Sequence, residues 1–407
     1  MNPVNHDRRR FLAAGALLAS GAVLAACEQR ASHREGNTPS GGASNTPGNT
    51  GPAVNNGTQP DTNTLRGTVI GPGKAAVDGR TVFFIGMVNL DTAPLRAATI
   101  EDINFFGHGF TPNPRKPHLA VISEKHGKGA CEVDLAARRV TRYLKTAEER
   151  EFYGHGAYTA DGRTLFLAES VVKDRSYAGV VAVYDGESFE PKGTFRSYGL
   201  APHDMILVDD GATLVITNGG GPEGSGDAPC ITFVDVKTQE LKQRLVFPNA
   251  RVNAGHIAIT SRGEIACVSA PREGMDSGAP DFLGNITFYD PADGKMRTSE
   301  HEIVKKMKAE TLSVAIHEPT MTVGATTPAG NLVTFWEFKT GRLIKAFDGD
   351  FKKPRGISVT LDGRYFVLTH DEKTNLILID AQTLEPVSEL KVETSYMAGS
   401  HNYVYRL

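Results

Sequence analysis

Three observations in the sequence predict an all-β protein with the architecture of a seven-bladed β-propeller. Gly and Pro are frequent, with 43 and 22 among 407 residues, as is typical of turn-rich β proteins. A sequence pattern recurs that predicts a strand, a Gly-containing turn and a second strand. Examples are GHGAYTADGRTLFLAE from Gly154 and GHIAITSRGEIACVSA from Gly255. A third apolar strand follows each phrase, and a fourth completes a four-stranded antiparallel repeat, which is the unit of a propeller blade.

The number of blades follows from aligning the repeats on the residue that opens the first strand. Seven start positions result, and they are His108, His155, His203, His256, Ser313, Arg355 and His401. The last one leaves room for a single strand before Leu407. Its three missing strands are predicted at residues 67–70, 81–89 and 94–100. Pairing of the C-terminal strand with these N-terminal strands would close the ring and remove its open edges.

Residues 1–27 predict an export signal that precedes the propeller of residues 65–407. Arg8 and Arg9 begin a motif similar to the twin-arginine signal, and the apolar run after it is too short to span a bilayer. The run ends in LAAC, which resembles a lipobox and predicts acylation of Cys27. The alternative is a plain signal peptide that contains a cysteine by chance. With the lipid attached, the protein is expected to be anchored to a membrane on its periplasmic side.

Residues 28–64 predict a disordered tether between the lipid and the propeller, because Asn, Thr, Gly, Pro and Ser dominate them. Residues 1–26 carry a charge of +2, and their removal changes the formal net charge from −3 to −5. A negative net charge argues against nucleic acid as a partner. The remaining cysteines, Cys131, Cys230 and Cys267, allow at most one disulfide and exclude a disulfide-built fold. A monomer is expected.

Histidines occupy one register of the repeat and form the main candidate site. Five of the seven start positions are His, in the first four blades and in the closing blade, which is adjacent to the first. In a propeller the first strand lines the central channel, so these side chains predict a histidine arc at its mouth. The ends of the second strands lie at the same level and add Glu124 and Glu169.

Such an arc predicts a transition-metal site, iron or copper, because imidazole suits Zn, Cu, Fe and Ni and carboxylates can complete the set. The predicted ligands are His108, His155, His203, His256, His401, Glu124 and Glu169. Since a seven-bladed channel is wide compared with a metal–nitrogen bond, the five histidines are not expected to bind one ion together. Two to four of them with Glu124 or Glu169 could do so, or a metal cluster could engage more of them. Two alternatives stay open: the histidines are structural and satisfy buried backbone groups, or they form a polar ring for an anionic ligand. Polar residues at the same rim that could contact such an anion are Arg355, Asn218 and His370.

The sequence also resembles a bacterial family of twin-arginine-exported propeller proteins, domain of unknown function 1513. The likeness is carried by Arg8-Arg9-Arg10-Phe11-Leu12, FYGHGAYTADGRTLF at 152–166, APHDMILVDDGATLVITNGG at 201–220 and PRGISVTLDGRYFVLTHD at 354–371. The resemblance implies the propeller fold and a genomic context of iron uptake, and it supplies no catalytic residues. The lipobox and the long tether depart from the family and argue against a freely soluble periplasmic form. A more distant likeness is to lactonase and surface-layer propellers with YVTN-type repeats.

Three functions are compatible with these features. The leading one is binding of iron or copper in the channel, for metal uptake with a periplasmic protein partner or for redox chemistry. The second is a non-enzymatic scaffold whose rim binds proteins. The third is a lactonase-like enzyme that uses one histidine as a general base. The sequence leaves open whether the protein is an enzyme.

Overall fold

A computed structural model describes residues 65–371, 375–399 and 401–407. The predicted export signal with Arg8 and Arg9, the predicted lipidation site Cys27 and the tether of residues 28–64 lie outside the described residues. Among the described residues, no helix has the length and apolar composition needed to cross a bilayer.

Short β-strands make up most of the described chain. In chain order they are β1 (Thr68–Val77), β2 (Arg80–Asn89), β3 (Ala97–Ile103), β4 (Gly109–Pro112), β5 (Leu119–Ser123), β6 (Lys125–Gly127), β7 (Ala130–Asp134), β8 (Arg139–Leu144), β9 (Arg150–Tyr158), β10 (Thr164–Val171), β11 (Ala178–Asp185), β12 (Pro191–Leu200), β13 (Pro202–Val208), β14 (Thr213–Asn218) and β15 (Cys230–Asp235). They continue with β16 (Leu241–Val246), β17 (Ile257–Ile259), β18 (Ile265–Ser269), β19 (Asn285–Asp290), β20 (Lys295–Thr298), β21 (Ser313–His317), β22 (Thr322–Thr327), β23 (Leu332–Glu337), β24 (Arg342–Asp348), β25 (Ile357–Val359), β26 (Tyr365–His370), β27 (Asn375–Asp380), β28 (Pro386–Val392) and β29 (Tyr403–Tyr405).

These strands form seven antiparallel sheets, which confirms the predicted seven-bladed β-propeller. Blade 1 is β4-β5-β7-β8, and blade 2 is β9-β10-β11-β12 with β6 added beside β9. Blades 3 to 6 follow in chain order as β13–β16, β17–β20, β21–β24 and β25–β28. Blade 7 is β29-β1-β2-β3 and joins the two ends of the described chain. The innermost of the four repeated strands in blades 1 to 6 is therefore the first, and in blade 2 the short β6 pairs with the other edge of that strand.

The repeated DG phrase forms the turn between the first and second strands of blades 2 and 6. Gly162 and Gly363 adopt φ values of 70° and 67°, a left-handed conformation that glycine adopts without steric strain. The aspartate before each glycine accepts the backbone N–H two residues later, at 3.0 Å in both Asp161 and Asp362. The Asp-Gly pair that marks the repeat in the sequence therefore also specifies the conformation of the turn.

Blade 7 closes the ring through three backbone pairs. In β29, Tyr405 pairs with Thr68 and Tyr403 pairs with Ile70 of β1. Both tyrosine side chains are buried and contact the ring of Phe110 from blade 1, with centroids 5.3 and 5.9 Å apart. The last strand thus closes the ring both by backbone pairing with β1 and by apolar packing against blade 1.

Apolar side chains fill the space between neighbouring blades. Trp336 of β23 is fully buried, and its indole N–H donates to Thr334 Oγ1 at 2.8 Å. Cys131, Cys230 and Cys267 are buried and free, so the described cysteines form no disulfide. The fold is held by sheet pairing and packing rather than by covalent links.

Candidate metal centre

The five predicted histidines lie together at one end of the central channel. His155 and His203 belong to the innermost strands β9 and β13, and His108, His256 and His401 come one or two residues before β4, β17 and β29. Because these strands enter the channel from the same end, the repeat brings the five imidazoles to one level. All five side chains are buried, with 1–6% of their surface exposed.

The imidazoles of the five histidines lie close to one another. Ring nitrogens of His108, His155, His203 and His256 all lie within 4.8 Å of one another. Nine pairs among the five rings have centroids 4.2 to 6.2 Å apart. Four histidines thus lie close enough together to share one ion, and His401 is not part of this group. They come from consecutive blades on one side of the ring, so their side chains point into the same space.

Two glycines beside the histidines permit this convergence. Gly154 has φ of 139°, and a Cβ atom there would lie 3.2 Å from His108 Cδ2 and 3.1 Å from the His203 carbonyl oxygen. A Cβ atom on Gly109 would lie 2.2 Å from the Gly154 carbonyl oxygen. Side chains at either position would push the innermost strands of blades 1 and 2 apart.

Hydrogen bonds fix the orientation of His203. Its Nδ1 lies 2.9 Å from the carbonyl oxygen of Tyr153, which can only accept a hydrogen bond. Nδ1 of His203 therefore carries the proton and donates, and the lone pair of a neutral ring is left on Nε2. Donation of the outer ring N–H to a backbone carbonyl is the usual arrangement around a metal-binding histidine.

Asp204 is a buried acidic residue beside the cluster that the sequence did not reveal. Its Oδ2 lies 3.2 Å from His256 Nδ1 and accepts the Ile257 N–H at 3.1 Å, while its Oδ1 lies 3.9 Å from His155 Nδ1. Burial raises the pKa of Asp204, and the neighbouring His155 opposes this effect. The carboxylate contacts the outer nitrogen of His256 and lies near that of His155, so it orients His256 rather than adding to the four-histidine group.

The inner nitrogens of His203 and His256 face each other at 2.5 Å. Nδ1 of His203 donates to the Tyr153 carbonyl, so Nε2 of a neutral His203 presents its lone pair toward His256. A cation at this point can accept that lone pair. The arrangement is suited to a bound cation.

Burial keeps the histidines in the form that binds metals. It lowers the pKa of all five imidazoles, and the neighbouring histidines lower the pKa of His108, His203, His256 and His401 further. A neutral imidazole is the ligand form, so the cluster does not need to lose protons near neutral pH before it binds an ion.

Lys125 and Glu310 also lie at this end of the channel, and neither belongs to the repeat register. Lys125 is on β6, the short strand added to blade 2, and its Nζ lies 3.5 Å from His203 Nε2. Burial lowers the pKa of Lys125 and raises that of Glu310 to about 8, and attraction between the two opposes both shifts. No sequence signal could have placed them, because the segments that carry them are insertions between repeated strands.

Glu124 and Glu169, the two predicted carboxylate ligands, lie outside the four-histidine group. Glu124 is half-buried, and its Oε2 accepts the Gly129 N–H at 3.0 Å within its own loop. Glu169 is fully buried, but its Oε2 lies 2.7 Å from Arg150 Nε and its Oε1 accepts the Tyr184 hydroxyl at 2.8 Å. Both carboxylates stabilise blades 1 and 2 locally.

The predicted polar rim is only partly present. Asn218 is fully buried inside blade 3, where its Oδ1 accepts the Ser197 hydroxyl at 2.6 Å and its amide donates to Thr232 Oγ1 at 3.1 Å, so it is not a rim residue. His370 is half-buried and packs edge-on against Phe351, with centroids 5.0 Å apart. Arg355 is half-buried in the channel and interacts electrostatically with Glu310.

A protein family matches residues 102–393, which is more than two thirds of the chain, and its description is "Protein of unknown function (DUF1513)". The chain belongs to this family. The resemblance predicted from the repeated phrases is confirmed. The matched range of this DUF1513 protein includes the four histidines of blades 1 to 4, whereas His401 lies beyond it.

Two solved structures have a similar fold. A structure titled "Kuenenia stuttgartiensis Hydrazine Synthase" matches with a TM-score of 0.60 and 13% identity, over 74% of this chain and 92% of the other. One titled "Crystal Structure of Mitotic Checkpoint Complex" matches with a TM-score of 0.52 and 14% identity, over 87% of this chain and 89% of the other. No curated protein matches the chain. At these identities the likeness concerns the propeller fold of the DUF1513 protein and not its activity.

Proposed function

We propose that the protein binds one first-row transition metal ion through His108, His155, His203 and His256. The observation that carries the proposal is the convergence of four buried ring nitrogens within 4.8 Å of one another. Structural histidines would be expected to have their inner nitrogens hydrogen-bonded to protein groups. Here Nε2 of His155 is buried and has no hydrogen-bond partner among the described residues.

The donor set favours copper or iron. Four neutral imidazoles are donors of intermediate softness, and among divalent ions the affinity of such a site rises toward copper. The buried carboxylate of Asp204 offsets part of the charge of the ion without entering the donor set. Because the site is enclosed by protein, it is better suited to holding an ion or passing electrons than to hydrolysis, which needs an open coordination position. Metal uptake or redox chemistry is the role that we propose.

Lys125 gives a reason for the stability of the metal-free cluster. Its ammonium group lies 3.5 Å from His203 Nε2 and supplies positive charge beside the lone pair of that nitrogen. A bound ion would replace this contact, and Lys125 would turn toward Glu310, with which it interacts electrostatically. We therefore expect the lysine to compete with the ion for the site.

We further propose that this metal site faces the periplasm on a lipid-anchored protein. The support is the twin-arginine-like motif at Arg8 and Arg9, the LAAC sequence ending at Cys27 and the polar tether of residues 28–64. Mass spectrometry of the mature N-terminal peptide tests this proposal. An acylated Cys27 is the expected result, and an N terminus at another residue would contradict it.

Metal titration of the full-length protein tests the proposed metal binding. We expect one equivalent of Cu²⁺ to bind and to raise the unfolding temperature, since an ion at 100 times its Kd stabilises a protein by about 2.7 kcal/mol. The double variant His155→Gln, His203→Gln should remove this binding. His317→Gln is a matched control, because His317 is also buried but bonds to Thr320 Oγ1 at 2.7 Å outside the cluster. Equal binding by both variants would contradict the proposal.

A further inference from the structure

Two ring contacts link the buried cluster to a histidine on the surface. His126 is exposed, and its ring centroid lies 4.4 Å from that of Tyr153. Tyr153 is buried, and its ring centroid lies 6.2 Å from that of His203. The backbone carbonyl of Tyr153 also accepts the Nδ1–H of His203 at 2.9 Å. The three residues therefore form a continuous chain of contacts from the surface to a proposed metal ligand.

The outer part of this chain is built by strand β6, which is an addition to the four-stranded unit of blade 2. In the pairing of β6 with β9, Lys125 lies opposite Tyr153. Gly127 lies opposite Phe152, the next residue of β9, so His126 is an extra residue that bulges from the pairing. Bulges beside functional sites re-aim side chains, and the bulged His126 packs edge-on against Tyr153. The added strand thus extends the contacts of Tyr153 to the surface.

We propose that His126, Tyr153 and His203 form a route for electrons between the bound ion and a one-electron donor that docks on the surface at His126. The inference rests on the proposed metal binding and specifies its redox role. A route is needed because the cluster histidines are buried, so a donor outside the protein cannot contact an ion held between them. The donor loses one electron, and Cu²⁺ gains it to become Cu⁺. No bond forms or breaks, and no proton is transferred.

Tyr153 serves in this route as a contact and not as a radical. Burial raises the pKa of its phenol, and the nearby Glu273, Tyr177 and Glu151 raise it further. The phenol therefore keeps its proton, and a protonated phenol gives up an electron much less readily than a phenolate. The ring and the backbone carbonyl of Tyr153 are the parts that the route needs, and the hydroxyl is dispensable.

The charges beside the route indicate the kind of donor. Glu151 and Glu273 interact electrostatically with Tyr153, and Glu151 also interacts with Glu124. Lys125 of the same added strand points inward, with its Nζ 3.5 Å from His203 Nε2. A surface with an excess of carboxylates attracts cations and raises their association rate. The donor therefore presents positive charge to this surface.

Stopped-flow reduction of the full-length, Cu²⁺-loaded protein by hexaammineruthenium(II), a cationic one-electron donor, tests the route. We expect His126→Leu and Tyr153→Leu each to lower the rate constant about tenfold or more, which is about 1.4 kcal/mol in activation free energy. Tyr153→Phe should react like the wild-type protein, because it keeps the ring. His118→Leu is a second control, since His118 is exposed in the loop between β4 and β5, at the end of β4 opposite to His108. Added salt should slow the wild-type reaction, and a rate constant that rises with salt would overturn the cationic donor.

Copper affinity and the electron paramagnetic resonance spectrum, measured on the same samples, separate this inference from metal binding itself. Both leucine variants should bind Cu²⁺ with the wild-type spectrum, because neither substitution removes a proposed ligand. If Tyr153→Leu loses copper, His126→Leu decides the test, since the ring of His126 packs on Tyr153. Wild-type rate constants in the copper-loaded leucine variants would overturn the route and leave the proposed function intact. Absence of copper binding in the wild-type protein would instead refute the proposed function and the route with it.

Discussion

Replacement of Asp204 by Asn is the most informative single perturbation of the site. The carboxylate touches the outer nitrogen of His256 at 3.2 Å and accepts the Ile257 N–H, and it is the acidic group that contacts the cluster. Asparagine has nearly the same shape and keeps one oxygen acceptor, but it has no charge. The variant therefore removes the electrostatic support of the histidines with little change in packing.

The expected loss of copper affinity follows from the contact between Asp204 and His256. Loss of a group that orients a metal-binding histidine typically lowers metal affinity 10- to 100-fold. Each factor of ten corresponds to about 1.4 kcal/mol, so the loss is about 1.4–2.8 kcal/mol. The metal-free protein should behave differently. Burial disfavours the charged form of Asp204, as the raised pKa indicates, so removal of the charge should leave the unfolding free energy unchanged or slightly higher.

Competition with a coloured copper chelator measures the change in copper affinity. Urea unfolding in the presence of EDTA measures the unfolding free energy of the metal-free protein. Asp209→Asn is the matched control, because Asp209 is an exposed carboxylate that directly follows β13. The reasoning is refuted if Asp204→Asn binds copper as tightly as the control. It is also refuted if the variant destabilises the metal-free protein by several kcal/mol, since Asp204 would then have a structural role.

Three further variants test neighbouring parts of the account. Lys125→Gln should raise copper affinity about tenfold or more in chelator competition, because a positive charge beside the ion is removed; unchanged affinity would show that the lysine does not compete. Glu169→Gln should lower the unfolding free energy in urea by about 3 kcal/mol by leaving Arg150 without its buried partner, with copper affinity unaffected; loss of copper would restore Glu169 as a ligand. Deletion of residues 403–407 should cost more than about 4 kcal/mol in the same assay, because it removes β29 and opens the ring; a loss below 1 kcal/mol would show that the closure is dispensable.

The fold could be predicted because each blade repeats the same local signals. Alternating apolar residues on either side of a DG or RG turn specify a hairpin by themselves, and Gly162 and Gly363 adopt the left-handed conformation that this turn requires. The counting of repeats then required seven blades and left the last one incomplete. Pairing of β29 with β1 supplies the missing strand, as expected for a chain that leaves no open edge.

The candidate site could be predicted only as far as the repeat extends. The register identified five histidines, because a position copied in each repeat appears at the same level of the channel. It gave no information on distances across the channel, so the convergence of His203 and His256 to 2.5 Å was missed. Asp204 was missed because it follows His203 directly, and only its contacts across the blades show that it supports His256.

Three predicted site residues lie outside the histidine cluster for a different reason. Glu124, Glu169 and Asn218 lie at the ends of second strands, as expected, but a strand end does not fix where a side chain points. Each of them is held by a local partner: Gly129 for Glu124, Arg150 for Glu169 and Ser197 for Asn218. Buried polar groups take the nearest partner with good geometry, and those partners cannot be read from the spacing of the repeat.

Anomalous X-ray diffraction from crystals of the copper-loaded protein, recorded at the copper absorption edge, tests the central claim most directly. The account predicts one strong anomalous peak inside the ring of cluster histidines, about 2.0–2.1 Å from Nε2 of His203 and His256. Nitrogen ligands from His108 and His155 should complete the group of four. A peak only at exposed histidines such as His118, or no peak in the channel, would contradict it.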